Sequence, residues 1–259
     1  MKSLISIVLF AVVSAWGSAS WAQTGTTGKM QASPTLAWNR IALEAVERAK
    51  PNQLQAMRLL AYVSLAQYAA LAEAQNEQES GAAIATASMR VIADLIPSQA
   101  AFVEERLRQV QPHVEHKESR VARRVLAQAH ADGFAQSWNG QAPQAAYAWH
   151  SLATPAVPPA YPAVGAMRTF LVESGSNFRP APPPALGSSR FLSDLAEVRK
   201  YNQSPIGETT RLAKFYDMTT GTLVAGFWNE RATEIIREHS SAELEAARIL
   251  ATMNAAIMD

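Results

Sequence analysis

The sequence predicts an all-α fold, a helical bundle with a proline-rich extended connection, and three observations carry that prediction. Apolar residues recur at three- and four-residue spacings through the long segments, with no sustained strand-like alternation up to residue 138. Ser33-Pro34 and Ser204-Pro205 read as cap-and-proline helix starts. Eight of the 14 prolines fall in one stretch, 155–184, which long helices cannot cross.

In chain order, the first helix is expected from Ser33-Pro34 to about Lys50, with Leu36, Ile41, Leu43 and Val46 on its apolar face. Pro51 restarts the chain. A second helix over 52–75 places Leu54, Met57, Leu60, Ala61, Leu65, Tyr68 and Leu71 at helical spacing, giving a wide apolar face. The Ala-rich segment 79–96 breaks at Pro97, and its small residues allow close helix approach. Residues 99–110 carry Phe102, Val103 and Leu107 before Pro112. A further helical pattern over 120–138 uses Val121, Val125, Leu126 and Phe134. No self-similar period of roughly 30 to 50 residues is present, so a globular bundle is expected rather than a solenoid.

The proline-rich stretch is interleaved with Trp149, Tyr161, Phe170, Leu171 and Phe178. Flexible linkers seldom carry so many large apolar groups, so it is expected to be an ordered connection packed over the bundle. Helical periodicity returns over 191–201, after Ser204-Pro205 to about Asp217, and over 227–239. The last helix is expected to begin at Ser240 with a Ser240/Glu243 capping box. It aligns Ala246, Ile249, Leu250, Met253 and Ile257, and it is still apolar at Ile257-Met258.

The N-terminal residues have the layout of a secretory signal: one Lys, an apolar run over 4–16, then small residues ending in Ser20-Trp21-Ala22. Residues 1–22 are read as a signal peptide, 23–32 as a disordered leader and 33–259 as the helical domain, which predicts an exported product, periplasmic or extracellular. The apolar run is shorter than a membrane span needs, and no transmembrane segment is expected in the mature protein. With no Cys, disulfides, thiolate metal sites and thiol nucleophiles are excluded. A formal net charge of +1, with no long cationic run, gives nucleic acid or an anionic membrane surface little support as partner.

Signatures with a known mechanism are missing: there is no phosphate loop, no Gly-x-Ser-x-Gly elbow and no zinc helix. His113, Glu115 and His116, with Glu118 and His130 further on, have residue types and a spacing that can bind a divalent metal. A solvated interhelix turn beside Pro112 is the plainer account. Arg120, Arg123 and Arg124 can hold an oxyanion, but Glu105, Glu115 and Glu118 lie near enough in sequence to neutralise them, as on a solvated helix face. His150 beside Trp149 and His239 in a last helical turn have equally ordinary roles.

Several segments, in order, look familiar. Phe178-Arg179-Pro180-Ala181-Pro182-Pro183-Pro184 and Asp194-Leu195-Ala196-Glu197-Val198-Arg199 resemble a segment of bacterial vanadium-dependent haloperoxidases. Ala213-Lys214-Phe215-Tyr216-Asp217, Gly226-Phe227-Trp228-Asn229 and Met253-Asn254-Ala255-Ala256-Ile257-Met258-Asp259 follow in the family's order, and Ala131-Asp132-Gly133 is similar to a position upstream. The resemblance, to the N-terminal portion only, implies the helical fold shared with type 2 phosphatidic acid phosphatases and bacterial acid phosphatases. It also implies an oxyanion site built from a Lys and Arg-Pro pair, a Ser-Gly-His segment, an Arg and a His.

None of those site residues can be assigned here, so no catalytic, cofactor-binding or metal residue is expected. Arg179-Pro180 looks like half of the first motif, but Val172 stands where its Lys belongs. Without the cationic cradle the charge developing in phosphoryl transfer or peroxide activation has no stabiliser. The expectation is a haloperoxidase- or acid phosphatase-like chain, truncated at its C-terminus and inactive alone, with no cofactor of its own. Vanadate would be implied if a C-terminal complementing part were supplied. The last helix should then expose its apolar face, giving a sticky or homo-oligomeric protein. The alternatives are an exported helical binding or scaffold protein and a small metal-binding protein using His113 and His116.

Overall fold

The computed structural model describes residues 33–111, 119–138, 140–141, 148–202, 207–218 and 221–259, apart from the side chains of Glu77 and Gln78. The expected signal peptide and leader lie outside the described residues, as do His113, Glu115, His116 and Glu118. The chain divides into Met1–Ser33 and Pro34–Asp259, and the second unit is described here.

Nine α-helices occur among the described residues: α1 (Pro34–Ala49), α2 (Gln53–Glu73), α3 (Glu77–Leu95), α4 (Ala100–Val110), α5 (Arg120–His130), α6 (Ser189–Asn202), α7 (Glu208–Tyr216), α8 (Leu223–Glu238) and α9 (Glu243–Met258). No described residue lies in a strand. The starts have local causes. Pro34 opens α1, where its fixed φ suits the first turn. Asn52 and Gln55 close a reciprocal capping box on α2, and Asn76 and Ser119 accept from the first turns of α3 and α5.

Helix α2 is the axis of the bundle. It packs against α1, α3, α5, α8 and α9, while α4 lies on α3 and α1. The expected one-sided apolar face is therefore an underestimate, because Leu59, Leu60, Tyr62, Val63 and Ala66 bury several faces of the same helix. The main core joins these to Trp38, Val46, Ile84, Met89, Ile92, Val103 and Leu107. Each such side chain removed from water stabilises by about 1.5–3 kcal/mol before entropy is counted. A smaller cluster, Leu36, Ala232, Ile236, Ala246 and Leu250, seals the meeting of α1, α8 and α9.

Four expectations are corrected. Helix α5 stops at His130 instead of running to Trp138. Asp132 turns inward to the bundle and Gly133 takes a φ of +90°, which ends the helix there. The Ser240/Glu243 capping box does not form: Ala242 precedes α9 without a side-chain cap, and Ser240 has a φ of 47°. Glu243 instead accepts from the Thr35 N–H at 2.7 Å, in the first turn of α1, where a carboxylate also meets the positive helix pole. Helix α9 does not expose its apolar face either, since Ala246, Ala247, Leu250, Ala251 and Ala255 are buried. Lastly, the proline-rich connection is only partly packed: Tyr161 and Phe170 dock, whereas Trp149, Leu171 and Phe178 stand exposed.

Helices α6 and α7 carry no buried residue. On α7 the stripe Leu212, Phe215 and Tyr216 faces outward, with Phe215 70% and Tyr216 68% exposed.

Candidate functional site

A largely buried ion pair lies where α2 meets the end of α5 and the connection. Arg58 and Tyr62 sit one turn apart on α2, so both side chains leave the same face. The inward turn after α5 brings Asp132 opposite them. Arg58 Nε donates to Asp132 Oδ2 at 2.7 Å, Arg58 Nη2 donates to the Ala129 carbonyl at 2.6 Å, and Tyr62 Oη donates to the same Asp132 Oδ2 at 3.0 Å. The other carboxylate oxygen accepts from the Phe134 N–H at 2.8 Å. Exposure of the ion pair is 13% at Arg58 and 2% at Asp132.

The guanidinium lies over the rings of Tyr62 and Phe134, 5.4 Å and 4.9 Å from their centroids, which adds cation–π attraction. Burial, and then the Asp132 charge and hydrogen bond, push the Tyr62 phenol well above its ordinary value, so it stays a protonated donor. Both Asp132 oxygens accept hydrogen bonds, and Arg58 is oriented by a carboxylate and a carbonyl, so the charges of the pair offset each other in the interior.

A second polar knot ties α2, α8 and α9. Asn229 and Asn254 exchange side-chain hydrogen bonds at 2.7 and 3.0 Å, Asn254 Nδ2 reaches Ser64 Oγ at 3.3 Å, and Asn229 Nδ2 also donates to the Ala225 carbonyl at 2.8 Å. All three side chains are buried. A groove of about 320 Å³ lies between α1 and α8, lined among others by Arg40, Arg237, Glu230 and Glu234. Its two cations face two anions, so it presents no charge excess to an ionic ligand.

The sequence candidates are placed as follows. His130 Nε2 lies 2.6 Å from Asp94, in an exposed pair. Arg124 donates to Glu73 at 2.6 Å, a partner outside the expected set, while Arg120 and Arg123 are exposed. Arg179 and His150 are exposed, and His239 Nδ1 lies 2.9 Å from the Ile235 carbonyl at the end of α8. Among the described residues no three His, Asp or Glu side chains are grouped as a metal site, and no helix is long and apolar enough to cross a membrane.

Sequence reasoning missed Arg58, Tyr62 and Asn229–Asn254 as partners. The available signal was the set of polar residues inside otherwise apolar helical faces, which burial obliges to find each other.

The chain matches no protein-family model and no curated protein. Among solved structures it is similar to the crystal structure of a bacterial vanadium-dependent iodoperoxidase, with a TM-score of 0.67 and 18% identity. The match covers 90% of this chain and 68% of that one. The fold is all-helical and haloperoxidase-like.

Proposed function

We propose that this chain is the helical scaffold of a haloperoxidase- or acid phosphatase-like protein, exported, without the oxyanion-binding residues and catalytically silent alone. The observation that supports it is the fold likeness over 90% of the chain, set beside Arg58 and Arg124, each turned to a carboxylate. A tetrahedral oxyanion such as vanadate needs several donors converging on one point. Three cations named above do not meet that need together: Arg58 faces Asp132, Arg124 faces Glu73, and Arg179 is exposed in the connection. No reaction step is therefore drawn through vanadate. Activity on this reading requires a complementing segment that brings the Lys, Arg-Pro, Ser-Gly-His, Arg and His set.

Orthovanadate titration, with assays of iodide peroxidation and phosphomonoester hydrolysis, tests the reading. No saturable binding and no turnover are expected from this chain. Tight vanadate binding or an enzyme-like rate would sink the claim that its site is absent.

The exposed stripe of α7 favours a second reading, a binding or scaffold protein whose partner covers that helix, because nine residues make a marginal helix without tertiary support. A cooperative melt of the isolated monomer supports this alternative, and aggregation or a molten state counts against it.

A further inference from the structure

Asp259 follows the last turn of α9, and its backbone N–H still bonds the Ala255 carbonyl. A carboxylate there faces the negative pole of the helix, where an acidic group is disfavoured. Its side chain is compensated from elsewhere: Asp259 Oδ1 accepts from the Phe170 N–H at 2.6 Å, and Oδ2 accepts from the Leu171 and Val172 N–H groups at 2.6 and 3.1 Å. Three successive backbone donors aimed at one carboxylate form an anion-holding nest. The nest lies 87 to 89 residues away in sequence and belongs to the proline-rich connection.

We propose that Asp259 is a latch that holds residues 161–172 closed as a strap over the buried Arg58–Asp132–Tyr62 knot. The strap has two further ties. Asn52 Nδ2 donates to Tyr161 Oη at 2.6 Å, with the Tyr161 ring 5.1 Å from that of Phe134. The Arg168 N–H donates to the Asp132 carbonyl at 2.9 Å. Beyond Arg168 the strap is tied only through the latch and through Phe170, whose ring meets Tyr62 edge-on at 5.3 Å and packs against the main core. The latch thus fixes the one strap side chain that roofs Tyr62. Releasing it lifts Phe170 and opens the knot to water while the helices keep their own packing.

Amide hydrogen exchange on the full chain, wild type against Asp259→Ala, tests this. Exchange at Phe170, Leu171 and Val172 should quicken by about tenfold or more, since each charge-assisted bond lost shifts local opening by roughly that factor. Amides of α2 and α3 should not change, and Asp259→Glu should restore part of the protection. Unchanged exchange at 170–172 in a folded variant overturns the proposal. Should Asp259→Ala fail to fold, the wild type decides alone: slow exchange of those three amides relative to α7 supports the latch, and exchange as fast as α7 rejects it.

Discussion

The helices α1–α5, α8 and α9 and the segment between α5 and α8 use similar side chains to opposite ends. In the first region large apolar groups are sealed around α2, and the buried Asn229 and Asn254 side chains pair with each other. From Gly133 to Met218 no described residue is buried, and twelve of the seventeen exposed large hydrophobics among the described residues fall there. Hydrophobic content therefore does not separate core from surface in this chain; what separates them is whether neighbouring helices exist to interdigitate with. A stripe such as Leu212, Phe215 and Tyr216 has the periodicity of a core helix without the second layer that would make it one.

The contrast can be broken or sharpened by mutation. The largest effect is expected from Asp132→Ala, which leaves the Arg58 guanidinium buried without its counter-charge and should cost about 3–5 kcal/mol, read from the urea midpoint at constant slope. Leu60→Ala, in the centre of α2, should follow with about 2–5 kcal/mol from lost burial and a residual cavity. A Leu60→Ala loss below 1 kcal/mol would mean the bundle is not close-packed around α2.

Tyr62→Phe should cost about 1 kcal/mol near neutral pH, the usual worth of one buried hydrogen bond. It also has a pH signature. The folded phenol titrates above its ordinary value of about 10, so the stability it contributes is complete below pH 10 and is lost as the pH climbs beyond that. Wild type should therefore lose stability above pH 10 more steeply than the Phe variant, and parallel curves would remove Tyr62 from the account. Smallest of all, Leu212→Ala and Phe215→Ser in α7 should shift the melting free energy by no more than about 0.5 kcal/mol. A loss of several kcal/mol at either position would show that α7 belongs to a packed interface in solution and would erase the contrast.

Much of the bundle was legible because helix starts and apolar spacing are local properties. Pro34, Pro51 and Pro97 punctuate α1 to α4 close to where the pattern puts the breaks. What was not legible depended on residues far apart in sequence. Glu243 has the spacing to serve its own helix and serves α1 instead. The end of α5 was misplaced because Asp132 is drawn to Arg58, 74 residues earlier, and no local rule contains that attraction. The familiar segments have a similar lesson. Asp132, Asn229, Asn254 and Asp259 all occur within them, and in the structure each fastens elements that are distant in sequence.

The Glu243 cap on α1 has a consequence for the order in which the molecule is made. Its partners, Thr35 and Glu243, are separated by 208 residues. As the chain is synthesised, α1 to α5 can associate early through contacts close in sequence, but the first helix keeps an unfinished end until Glu243 has been made. The last helix then completes α1 and covers Ser64 in the same docking event. Such closure is slow, because a long loop must be gathered before any contact rewards it. Until it happens the nascent bundle is open along the face of α2 that α9 covers, and the apolar groups of that face stay in water.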